Sequence, residues 1–139
     1  MNLSRFLNAQ APVYTDALTE LRAGQKHTHW IWFVLPQLRG LGHSVDSTYY
    51  GLENAAEAAA YLAHPVLGAR LRECVAAILA HKEKTAHTIL GAPDDLKFRS
   101  CLTLFHSVAA PGDHLWQDAL DQFYAGQPDE ATLQMLAAD

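Results

Sequence analysis

Apolar residues along this chain recur mostly at intervals of three and four, the spacing by which a helix buries one stripe and leaves the other wet. Phe6 and Leu7 lead into Val13, Tyr14, Ala17, Leu18 and Leu21, with Pro12 dividing the segment and Gly24 placed to stop it. Ser44 suits the N-cap of a short helix through Tyr49 and Tyr50 that ends at Gly51. An Ala-rich helix is predicted over Asn54 to Leu62, broken at His64-Pro65, with Pro65 in the first turn of the next helix. That helix carries the broadest stripe, Leu67, Leu71, Cys74, Val75, Ile78 and Leu79. Thr85 to Leu90, stopped by Gly91, is a further short helix. Pro93, Asp94 and Asp95 then open one whose buried face is Phe98, Cys101, Leu102, Phe105 and Val108, since carboxylates favour the positive end of a helix dipole. Pro111-Gly112-Asp113 opens another, built on Trp116, Leu120 and Phe123 and closed by Gly126, and a last one spans Asp129 to Leu136.

Periodicity alone does not decide the run Ile31 to Leu35, which is β-branched and aromatic. No alternating series elsewhere would partner a lone strand, so Lys26 to Gln37 is predicted as a buried helix. There is no internal repeat, heptad series or low-complexity tract. The expected fold is all-α: one domain over residues 1–139, a compact bundle of about seven to eight short and medium helices.

Composition narrows the function classes. With 50% hydrophobic and 18% charged residues the chain can bury one core, and a formal net charge of −5 argues against broad nucleic-acid binding. Two cysteines, Cys74 and Cys101, sit at core-periodic positions and do not read as a disulfide framework; a thiol so placed is ordinarily inert. No apolar leader segment and no membrane-length apolar run is evident, so a cytoplasmic protein is expected.

The chemistry concentrates between Lys26 and Ser44. On a helix, Lys26, Trp30, Phe33 and Gln37 share one side, flanked by His29 and Trp32: an aromatic wall with polar ends, as a small-ligand pocket needs. His27 and His29 form an H-x-H pair, but nothing supplies further ligands and no metal is expected. Arg39-Gly40-Leu41-Gly42-His43-Ser44 has the glycines and helix start of an anion-binding loop, although Val45 stands where a dinucleotide fingerprint needs glycine. Further along, Asp95, Arg99 and His106 can line a polar stripe, with an ordinary Asp95 to Arg99 pairing as the simpler account.

These residues point to a pocket for a small anionic ligand, with nucleotide-derived ligands in scope. Trp30 and Trp32 would offer stacking surface, Lys26 and Arg39 charge, Gln37 and Ser44 orientation, Gly40 and Gly42 backbone freedom, and His29 an acid or base. Lys97 and Arg99 would approach from the later helix. No cofactor is expected, no activated nucleophile is apparent, and turnover is left open. Two other classes compete: a protein-interaction module using the tryptophans as an exposed anchor, and an enzyme acting on ADP-ribose-like nucleotides.

Several ordered blocks also resemble a known family: F-x-x-A-Q from Phe6, G-x-K-x-x-H-W-x-W-F from Gly24, P-Q-L-x-G-L-G-x-S from Pro36, Tyr50-Gly51, Y-L-x-H-P-x-L-G-x-R-L from Tyr61 and K-x-x-S-x-x-T-L-F from Lys97. Over nearly its whole length the chain resembles the bacterial domain-of-unknown-function family numbered 1810, sometimes mislabelled calpastatin. The resemblance implies a compact all-helical domain and brings no established reaction or catalytic residue. Thr28, Ile31 and Cys101 stand where such blocks often carry serine, methionine and serine.

Overall fold

The three-and-four periodicity is realised as helices throughout the described residues, 1–138 of a computed structural model, and no strand forms among them. Asp139, the last residue of the expected domain, lies outside them. The helices are α1 (Ser4–Gln10), α2 (Tyr14–Ala23), α3 (Ile31–Val34), α4 (Val45–Tyr50) and α5 (Ala55–Ala63), then α6 (Leu67–Leu79), α7 (Ala86–Leu90), α8 (Asp94–Val108), α9 (Leu115–Tyr124) and α10 (Glu130–Ala138). The all-α class holds, while ten helices among the described residues exceed the expected seven to eight. The excess arises because the chain breaks often: Pro12 separates α1 from α2, and the short α3 and α7 stand as elements of their own.

The local signals act as their chemistry dictates. Ser44, Asn54 and Thr85 each accept a hydrogen bond from the amide three residues on and so start α4, α5 and α7. Gly24 ends α2 in the left-handed region at φ 78°, where a side chain would be strained. The interior is built around α8, whose Phe98, Cys101, Leu102, Leu104 and Phe105 are buried between α5 and α9. The predicted stripe on α6 is buried except Leu79, which is partly covered.

The predicted helix over Lys26 to Gln37 does not form; only Ile31–Val34 is helical. The amides of residues 26 to 28 bond elsewhere: Lys26 N donates to Ile89 O at 2.7 Å, and His27 N and Thr28 N donate to the Glu20 carboxylate. Pro36 closes the other end, since the residue before a proline is pushed out of the helical region, and Leu35 sits at φ −126°. Beyond it the chain runs beside Leu52 in an isolated parallel bridge, with Arg39 N donating to Leu52 O and Leu52 N to Gln37 O. The short α3 is held from outside by buried Gln10, whose Nε2 donates to Phe33 O at 2.7 Å and to the Tyr61 hydroxyl at 3.0 Å.

Candidate functional site

Loss of the long helix divides the expected pocket into two groups. In the first, one carboxylate organises residues 27 to 30. Glu20 Oε1 accepts from His27 N, Thr28 N and Trp30 Nε1, and Oε2 accepts from Thr28 Oγ1. Trp30 is thereby turned inward and is 1% exposed. The Lys26 ammonium lies 4.9 Å from the centre of a Trp30 ring and pairs with Asp94 at 2.9 Å, its side chain 6% exposed. Lys26 and Trp30 therefore join α2 to the start of α8, and neither lines a hollow open to a ligand. His29 is exposed on the connecting segment, apart from the groove described below.

The second group lies after Pro36. Ser44 spends its hydroxyl on capping α4, accepting from Ser47 N at 3.1 Å. Gly40 adopts φ 104° against Met135, and Gly42 lies so close to Ser47 that a methyl there would overlap its hydroxyl. Both glycines thus have packing reasons to be glycine. Arg39 Nε donates to Thr48 O, and the side chain borders a different hollow with Glu53 and Met135.

What the fold does bring together is Gln37 and Gly42 from this loop and Lys97 and Arg99 from α8. They line one groove of about 320 Å³, with Leu96 on its lip and Asp129 at the start of α10 at its end. Lys97 Nζ stands 5.4 Å over a Trp32 ring, and among the described residues it has no hydrogen-bond acceptor or ion-pair partner. Arg99 Nε donates to Gln127 O at 2.8 Å and its guanidinium lies over Tyr124, which leaves the terminal nitrogens for another acceptor. The one carboxylate of the groove is occupied: Asp129 Oδ2 accepts from Thr132 N and Thr132 Oγ1, capping α10. The groove therefore presents net positive charge. The simple Asp95 to Arg99 pairing is not made, because Asp95 faces His87 at 3.4 Å, and exposed His106 lies outside the groove.

Beneath this groove a smaller hollow is lined by Trp32, Gln37, Ser47 and Lys97 with apolar Ile31 and Leu35. The Trp32 indole nitrogen is buried and has no hydrogen-bond partner among the described residues. The sequence reading missed Leu96, Ser100 and Asp129. A signal was present for two of them, since Leu96, Lys97 and Ser100 follow Pro93 at helical spacing and share its face.

Elsewhere the reactive groups are quiet. Burial pushes the Cys74 thiol up to about 12 and raises that of Cys101 well above its usual value, so neither is poised as a thiolate. Among the described residues no group of three or more His, Cys, Asp or Glu side chains is placed to hold a metal ion, and no helix is long and apolar enough to cross a membrane.

A family model described as "Protein of unknown function (DUF1810)" matches residues 1–136. The chain is also similar to a solved crystal structure, the conserved hypothetical protein Rv1873 from Mycobacterium tuberculosis. The two share 44% identity at a TM-score of 0.94, over 97% of this chain and 96% of the other. No curated protein matches the chain.

Proposed function

The chain belongs to the DUF1810 family of proteins of unknown function, and from its own geometry we propose that it binds a small anionic ligand in the groove between the loop after Pro36 and α8. The observation that carries this reading is the pair of cations on one wall, Lys97 and Arg99, with no carboxylate free to neutralise them. Ion-pair partners are the usual fate of such heads when they are part-buried, and Lys26, Arg5 and Arg72 all have one. Gln37 supplies an amide on the opposite wall, and Trp32 supplies apolar surface under the ammonium. Binding rather than turnover is proposed: Ser100, the hydroxyl in the groove, donates to Leu96 O, and no activated nucleophile adjoins the cations.

The interaction-module reading lacks its anchor, since Trp30 and Trp116 are buried and Trp32 is mostly covered. Thermal-shift and calorimetric titration with nucleotides, phosphorylated metabolites and carboxylates tests the proposal. A ligand bound by the parent chain and by Arg39→Gln, but lost in Lys97→Gln and Arg99→Gln, supports the groove. Equal affinity in all four proteins rules it out.

A further inference from the structure

Resting on that reading of the groove, we infer that the hollow beneath Lys97 is a subsite for a single carboxylate oxygen, with the Trp32 indole N–H as its fixed donor. The first reason is an accounting one. A buried N–H without a partner is costly, and native structures pair nearly all of them. Trp32 Nε1 is such an orphan, and Trp32 lines this hollow. The second reason is chemical. An indole N–H and an ammonium can only donate, so the occupant has to accept. Ser47 can also donate, because its oxygen accepts from the Ser44 hydroxyl and its own proton is uncommitted. Gln37 can turn its amide nitrogen the same way.

The third reason is size. The hollow offers about 10 Å³ to the centre of a water-sized group, room for one oxygen. A carboxylate can insert one oxygen of a flat group edge-on. A phosphoryl group brings several oxygens around a tetrahedral centre and is too broad to follow, which leaves phosphates to the wider groove beside Arg99. Ile31 and Leu35 keep the inner end apolar, where a charge-assisted hydrogen bond is stronger than in water. Lys97 and Gln37 line both spaces, so a ligand seated in the groove reaches the hollow past them.

The test is an NMR titration of the full chain, following the Trp32 indole N–H resonance, with succinate, inorganic phosphate and adenosine monophosphate as separate probes. Succinate is expected to shift that resonance. Trp32→Phe, which keeps an aromatic ring and removes the donor, is expected to weaken succinate about tenfold, the loss of one hydrogen bond to a charged group, and to leave phosphate binding as it was. An indole signal unmoved by every probe means a bound water only and overturns the inference. Phosphate binding that depends on Lys97 and Arg99, with the indole silent, also overturns it while leaving the groove proposal standing. No binding by any probe overturns both. The titration of the parent chain reads the contact directly, so a poorly folded Trp32→Phe does not rescue the idea.

Discussion

Glu20 shows how one side chain decides which residues become structure and which remain for a ligand. Burial works against its charge, but the hydroxyl and amide of Thr28, the amide of His27 and the Trp30 indole outweigh that and hold its carboxyl at about 2 against a usual 4.5. A carboxyl depressed on folding stabilises the protein fully above its unfolded value and loses that contribution as pH falls through its folded one. Glu20→Gln should therefore unfold more readily in urea at neutral pH by about 1–3 kcal/mol. It should also lose less stability than the parent between pH 4.5 and about 2; parallel acid slopes would deny the clamp its role. Lys26 makes the same point by its partner. Truncating one member of a buried pair strands the other, so Lys26→Ala should cost about 3 kcal/mol in chemical denaturation while the refolded protein keeps its ligand affinity. If affinity collapses with no loss of stability, Lys26 belongs to the site after all. Neither partner was legible in the sequence. Glu20 sits among ordinary polar positions of α2, and only the reversal at Gly24 returns the chain to it.

Among elements, legibility follows how much of the backbone bonding is internal. Helices such as α6 and α8, whose amides bond within the element and whose stripes face the core, follow the three-and-four pattern closely. The stretch from Lys26 to Gln37 was misread because its amides find partners on Glu20 and in the segment ending α7, which no local pattern records. The error mattered for the site. A helix would have put Gln37 with Lys26 and Trp30, whereas the actual turn after Pro36 sends it across to Lys97. The close approach of α5 to α6 is the converse case, a sequence feature whose reason only the fold supplies. Gly68, in the first turn of α6, has the Leu62 carbonyl oxygen where a Cβ would stand. Gly68→Ala must push two backbones apart, so it should destabilise by about 3 kcal/mol or more, read as a lowered urea midpoint with an unchanged slope. A near-parent midpoint would show that this helix pair slides freely.

On the scale of the whole molecule the charge distribution sets the last expectation. The chain carries a formal net charge of −5, which disfavours the approach of an anion, while the groove reverses that sign locally through Lys97 and Arg99. Composition registered only the first term, which is why it excluded broad polyanion binding and was silent on a single site. The two cations sit on consecutive turns of one face of the site, so a small anion that touches both makes them energetically dependent on each other. Lys97→Gln and Arg99→Gln should each weaken binding of the best anionic probe about tenfold, and the double variant should lose less than the product, a coupling of at least about 0.5 kcal/mol in the mutant cycle. Raising salt should weaken the parent more steeply than either variant, because each neutralised cation removes attraction that salt would otherwise screen. Strict additivity would place the two side chains on separate ligands or none. A parent chain with no salt dependence would mean that the groove, however cationic its rim, does not bind by charge.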